Sequence, residues 1–435
     1  MVTKLMLITK RAKEDRKCKF NNLMHLLDAS GLKECFFMLK KNKAAGIDEV
    51  TAQDYSKDLE KNLEMLTEKM KAMSYRPLPV RRAYIPKANG KKRPLGIPAL
   101  EDKIVQMGFA RILEAIYEVD FRDYSYGFRR GRNCHQALAR LDNRIMRRPV
   151  NYVIDADIKG FFDNVNHDWM KRCIEERVSD RKFIRYIQRF LKSGVMEAGK
   201  YIKTVKGTPQ GGVVSPILAN IYLHYVLDLW FENEIKVKSR GSAEMVRYAD
   251  DFVICVQYRK ETEQILEAVG RRLRKFGLEL SEEKTRIIEF GRKAQEDSRS
   301  RGNKPGTFNF LGFTHYCTRT RSGKFKVARK TEKKRYARGL KKIATWLKIN
   351  RSQLELKEIW NRVSSMLSGH FRYFGVSDNF KTLNRFHNEV ERTLYKWLNR
   401  RSQKKSFDWD KFCIYLKCFP LPKPKIYHSL YNYAF

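Results

Sequence analysis

Ninety lysine and arginine side chains against 49 aspartates and glutamates leave the chain with a formal charge of +41. Self-repulsion of that size opposes compaction unless a polyanion neutralises it, which makes nucleic acid the expected partner. A basic membrane-surface protein is the competing class. That class concentrates its cations in an anchor or carries a lipidation signal, whereas here the cations run throughout and Met1-Val2-Thr3 lacks the glycine needed for myristoylation. No stretch reaches the roughly 18 consecutive apolar residues of a membrane span. With 435 residues, 42% of them hydrophobic, the chain can bury two or three packed cores.

The eight cysteines are scattered with no Cys-x-x-Cys pair, which points to reduced thiols and away from a zinc ribbon or a disulfide framework. The apolar patch at residues 5 to 8 is too short for a signal peptide, and its basic cluster follows rather than precedes it. The expected location is the cytoplasm, bacterial cytoplasm or nucleoid in the first instance, with an organelle left open.

Apolar spacing predicts helices over the first 75 residues, interrupted by the basic turn Lys43-Ala44-Ala45-Gly46-Ile47-Asp48. From Val80 the pattern changes to two short cationic strands joined through Asn89-Gly90, a hairpin signal. Helical periodicity returns from Ile104 to Tyr117. Tyr152-Val153-Ile154-Asp155-Ala156-Asp157-Ile158 then reads as a buried strand ending in acid, and residues 246 to 256 read as a hairpin with Asp250-Asp251 in its turn. Residues 291 to 306, polar and rich in Gly and Ser, read as a surface loop. Residues 319 to 342 carry 12 basic side chains and one acidic one. Under that charge, Tyr336, Leu340, Ile343 and Leu347 recur at helical spacing, and two further amphipathic helices follow.

Carboxylates closing rigid strands are what a pair of divalent cations requires, since magnesium takes oxygen ligands and keeps waters or substrate phosphates. The candidates are Asp157, Asp250 and Asp251. Taken alone, an Asp-Asp pair fits an ordinary turn equally well.

Its neighbours change that balance. The chain resembles the group II intron reverse transcriptase and maturase family in successive blocks: Ser125-Tyr126-Gly127-Phe128-Arg129, residues 155 to 163, Gly207-Thr208-Pro209-Gln210-Gly211-Gly212, Tyr-Ala-Asp-Asp at 248 to 251, residues 278 to 285, and Phe310-Leu311-Gly312-Phe313. The resemblance implies an α+β, right-hand polymerase fold of fingers and palm with a helical thumb and maturase domain. It implies Asp157, Asp250 and Asp251 as ligands of two magnesium ions. It also implies Phe162 under the nucleotide sugar, where a ring would clash with a 2′ hydroxyl, although one of Phe161 and Phe162 should be core by side-chain direction. Lys87 and Arg93 match the family's cations on the incoming triphosphate, with solvated hairpin charge as the plainer reading, and Gln210 matches the residue near the nucleotide sugar. Asp155 would stand behind Asp157, and Asp163 would tie down the following helix. His167 and the Cys134-His135 pair join no plausible metal set.

The implied organisation is an amino-terminal helical extension that contacts RNA (residues 1 to 79), fingers and palm (80 to 316), a helical thumb and maturase domain (317 to 401) and a short basic tail (402 to 435) with no room for an endonuclease. The implied function is RNA-directed DNA synthesis, with a structured intron RNA, an RNA template on a DNA primer and deoxynucleoside triphosphates as partners, and a maturase role beside it. Two alternatives remain: a splicing factor whose polymerase fold is only a scaffold, and a domesticated relative in DNA repair or phage defence. The oligomeric state is not legible.

Overall fold

The structure is a computed structural model that describes residues 1–40, 42–86, 92–300, 302–401, 407–431 and 433, residue 299 by its backbone alone. In chain order its strands are β1 (Val80–Pro86), β2 (Lys92–Ile97), β3 (Tyr152–Asp157), β4 (Val195–Glu197), β5 (Lys200–Ile202), β6 (Ala243–Tyr248), β7 (Asp251–Val256), β8 (Arg286–Glu289), β9 (Phe308–Phe310), β10 (Phe313–Arg319) and β11 (Phe325–Thr331). They form three sheets, ordered β2-β1-β4-β5, β6-β7-β3-β8 and β11-β10-β9. The fold is α+β, with the helices segregated around these sheets and in the carboxy-terminal region.

The amino-terminal helices Ala29–Met38 and Leu59–Lys71 pack Leu32, Phe36, Leu63 and Leu66 toward the helix Leu100–Tyr117. That helix is buried nearly all round, through Ile104, Val105, Phe109, Ile112, Leu113 and Ile116, as a helix apolar on every face must be. β1 and β2 pair antiparallel with Ile85 opposite Arg93. The connection between them, with Lys87 and the Asn89-Gly90 pair, lies outside the described residues.

The central sheet is covered on both faces. From β3 and β7, Ile154, Ala156, Phe252, Ile254 and Val256 enter the core shared with the amino-terminal helices, while Val153, Val253 and Cys255 enter a second core. That second core lies against the helix Cys134–Arg147 and β9 to β11. Double coverage explains why β7 reads as an unbroken apolar run, since successive side chains point to opposite faces.

Residues 291 to 306 differ from the loop expected of them: Arg292–Ser300 is a helix. Among its described side chains the buried ones are Ala294 and Ser298, one turn apart, so a polar composition conceals it. Three helices, Lys333–Asn350, Leu356–Phe374 and Phe380–Leu398, build a third core from Ile343, Leu347, Val363, Leu367, Phe386 and Val390. The segment expected as a short tail carries a further helix, Trp409–Cys418, capped by Asp408. Its Phe412 and the following Leu421 join the third core, and Leu430 reaches back into the second. Among the described residues no helix is long and apolar enough to cross a membrane.

Candidate active site

β6 and β7 are joined by the two-residue turn Ala249-Asp250, with Tyr248 opposite Asp251. Ala249 has φ +58°, the positive value that a tight hairpin demands of its first turn residue and that alanine adopts only under constraint. β3 pairs with β7 so that Asp157 lies directly opposite Asp251. Cross-strand partners share a face, so the two carboxylates leave the sheet together at its end, with Asp250 in the adjoining turn.

Burial raises the Asp250 carboxyl above its ordinary range, and Asp157 adds to the effect while Arg93 and Lys284 oppose it. For Asp251, burial and the like charges of Asp155, Asp157 and Asp250 push the value up to about 8. Asp155, on the same face two residues before Asp157, is raised by burial to about 6, with Arg286 Nε 3.5 Å from its carboxylate. Like charges that raise one another in this way favour a cation nearby. Lys284 supplies one: its Nζ lies 2.7 Å from Asp157 Oδ2.

Oxygen-only donors short of positive charge fit a hard divalent cation in their chemistry. Among the described residues, however, no three His, Cys, Asp or Glu side chains are gathered closely enough to hold one together. Asp157 is turned to Lys284 instead.

Phe161 is buried and Phe162 half-buried, their rings 5.3 Å apart between centroids. Phe162 also meets the exposed Phe128 edge-on at 6.5 Å. Arg93 is exposed on β2 and acts on Asp250 through its charge. The Gln210 carbonyl accepts a 2.6 Å hydrogen bond from the Gly96 amide, joining its loop to β2. Gly211 makes that approach possible, because a Cβ there would fall 2.5 Å from the Gly96 carbonyl oxygen. Lys87 lies outside the described residues.

Asp163 is exposed and does not cap the next helix; Asn166 does, accepting from the amides of Asp168 and Trp169. His167 contacts the Gly207 carbonyl oxygen and His135 that of Tyr373, so both serve packing. Sequence reasoning assigned no role to Lys284, although the block 278 to 285 contains it, nor to Arg247 and its buried partner Asp228.

Residues 85–315 match the reverse transcriptase (RNA-dependent DNA polymerase) family, and residues 337–413 match the group II intron maturase-specific domain. The chain is 33% identical over 426 residues to the group II intron-encoded protein LtrA of Lactococcus lactis subsp. cremoris, covering 80% of this chain and 69% of LtrA. The chain belongs to the group II intron reverse transcriptase and maturase family. It is also similar to protein YkfC of Escherichia coli K12, at 35% over 275 residues, 56% of this chain and 71% of YkfC. A more distant relative is nuclear intron maturase 1, mitochondrial, of Arabidopsis thaliana, at 27% over 114 residues, 26% of this chain and 16% of the relative. The matched polymerase region contains the whole carboxylate corner, so the protein is a reverse transcriptase of the group II intron type. Enzymes of this kind use divalent metal ions and act on nucleic acid, intron RNA among it.

Proposed function

We propose that the corner formed by Asp157, Asp250 and Asp251 is where this reverse transcriptase extends a DNA primer on an RNA template. The observation that carries this reading is the cross-strand pairing of Asp157 with Asp251 beside the Asp250 turn, in a region whose burial leaves the carboxylates short of positive charge. Two magnesium ions held by these three residues would activate the primer 3′ hydroxyl and stabilise the pyrophosphate leaving group. The protein's own part is to fix three carboxylates on a rigid sheet end and to arrange donors around the nucleotide.

Arg93, with Lys87 on the preceding arm of the sequence, binds the triphosphate of the incoming deoxynucleotide. Phe162 sits beneath its sugar and excludes a 2′ hydroxyl. Gln210 contacts the same nucleotide from a loop anchored on β2. Residues 80 to 316 act as fingers and palm. Residues 1 to 79 and 317 to 401, with the basic segment after β11, hold the structured intron RNA and the template-primer duplex through phosphate contacts. A maturase role that aids splicing accompanies synthesis, in the cytoplasm.

Primer extension on matched RNA and DNA templates with magnesium tests the reading. Extension on the RNA template is the expected result. Folded protein that binds RNA tightly yet extends nothing would assign the polymerase fold to a scaffold for splicing.

A further inference from the structure

Arg247 and Asp228 are both completely buried, and they pair through two hydrogen bonds. Arg247 Nε donates to Asp228 Oδ1 at 2.8 Å, and Nη2 donates to Oδ2. Burying a pair of charges is costly and is often no better for stability than apolar side chains of the same size, so its presence beside a reaction centre asks for another reason.

That reason lies in the third nitrogen. Arg247 Nη1 donates to the carbonyl oxygen of Ala249, in the turn that carries Asp250, at 3.0 Å, and to Asn220 Oδ1 at 3.3 Å. The Asn220 amide nitrogen donates in turn to the Gly127 carbonyl oxygen at 2.7 Å. Gly127 closes the circuit from the other side: a Cβ there would fall 2.4 Å from the Ala249 nitrogen. The segment that holds Gly127 is itself fastened to Arg247, whose backbone amide donates to the Tyr124 carbonyl oxygen at 2.8 Å and whose carbonyl accepts from the Tyr126 amide at 2.9 Å.

The partners come from separate elements. Asn220 lies on the helix Ser215–Leu223, and Asp228 ends the π-helical turn His224–Asp228 that follows it. A π turn inserts one residue into the helical repeat and so re-aims the side chains after it, a device that recurs at functional sites. The backbone at Ala249 is held in the left-handed region that a side chain disfavours, a state that persists only where the surroundings over-determine it. Here they do, through Gly127 at the Ala249 nitrogen and through the guanidinium at its carbonyl oxygen.

We infer that Arg247 is the positioning residue of the catalytic turn: one buried guanidinium, held by Asp228, fixes the carbonyl of Ala249 and, through Asn220, the Gly127 segment, and thereby sets where Asp250 and Asp251 present their carboxylates. This rests on the reading of residues 248 to 251 as part of the reaction centre. Arg247 touches neither substrate nor reacting atoms. Its planar fork reaches acceptors on three residues in fixed directions, which a lysine ammonium at the end of a flexible stem does not.

The test is single-nucleotide incorporation by Arg247→Lys, with thermal melts and RNA affinity measured on the same preparations. The variant keeps the charge beside Asp228 and gives up the simultaneous contact with Ala249. The expected result is folded protein with unchanged RNA affinity, a kcat lowered by about tenfold or more, a KM for the nucleotide within about twofold of wild type, and a raised half-saturating magnesium concentration. A merely structural role would lower the melting temperature and leave that split and the magnesium requirement unmoved. Wild-type kcat and magnesium requirement in folded Arg247→Lys would overturn the inference. If that variant is not recovered folded, Asn220→Ala decides, since it leaves the Arg247–Asp228 pair intact while cutting the tie to Gly127. A kcat lowered by about threefold or more at constant KM supports the inference, and wild-type kcat overturns it. Asp251→Asn in the same assay separates this failure from failure of the site reading: retained synthesis there would dismiss the reaction centre itself.

Discussion

Lys284 Nζ lies 2.7 Å from Asp157 Oδ2, so the carboxylate opposite Asp251 is already paired with a cation from the protein. The lysine is largely exposed while the aspartate is about a quarter exposed, which makes the pair a weak contributor to stability, of about 0 to 1 kcal/mol. In the proposed site its effect falls on metal binding, because a divalent cation would have to take Asp157 from Lys284. Lys284→Met is therefore expected to melt within a few degrees of wild type and to reach half-maximal nucleotide incorporation at about two- to fivefold lower magnesium. An unchanged magnesium requirement would show that lysine and metal do not compete.

In the proposed site the carboxylates would also tie metal binding to pH. Asp251, raised to about 8 from an ordinary 3.8, keeps its proton in the folded chain over a range where the unfolded chain has released it. Its contribution to stability is full below about pH 4 and is lost as pH rises through about 8. A bound cation favours the ionised form and reverses that loss. Melting curves with and without magnesium at pH 6, 7 and 8 should therefore show a stabilisation by magnesium that grows with pH. An increment constant across that range would contradict the role given to Asp251.

Phe162 is the half-buried member of its pair and meets Phe128 from a neighbouring segment, which fixes the ring without enclosing it. Phe162→Val should raise incorporation of ribonucleotides relative to deoxynucleotides by about tenfold or more, a loss of discrimination of about 1.4 kcal/mol. Competition between the two nucleotide types in single-turnover extension measures it. Unchanged discrimination would return Phe162 to a packing role.

The carboxy-terminal segment ties two cores together, with Leu421 in the helical bundle and Leu430 in the core beneath the central sheet. Backbone bonds fasten it on the way: His428 donates to the Gly375 carbonyl oxygen at 3.0 Å and accepts from the Ser377 amide at 3.2 Å. Leu430→Ala should cost about 2 to 4 kcal/mol, read as a lowered urea midpoint. A midpoint equal to wild type would mean that the segment is not held by its leucine.

Features governed by local periodicity were the legible ones. The apolar arms around Asp250 and the run into Asp157 are strand signals, and their acidic ends follow from the sequence directly. Spacing could not show that Asp157 and Asp251 would stand opposite one another, because register is set by long-range pairing. The helix Arg292–Ser300 escaped because Ala294 and Ser298, buried one turn apart, leave no apolar stripe to read among its described side chains. Arg247 escaped for a different reason: a cation in a strongly basic chain carries no sign of burial, and its partner Asp228 enters from a π turn 19 residues away. Among 90 basic residues, composition points to nucleic acid yet hides the buried guanidinium that bonds to the Ala249 carbonyl of the turn.

The two aspartates of the turn offer the most direct test of the proposed reaction centre. Primer extension on an RNA template, comparing wild type with Asp250→Asn combined with Asp251→Asn, should show synthesis lost to background, by about a thousandfold or more, while RNA affinity stays within a few fold. RNA-templated synthesis at a wild-type rate by the double variant would place the reaction centre elsewhere and contradict the account.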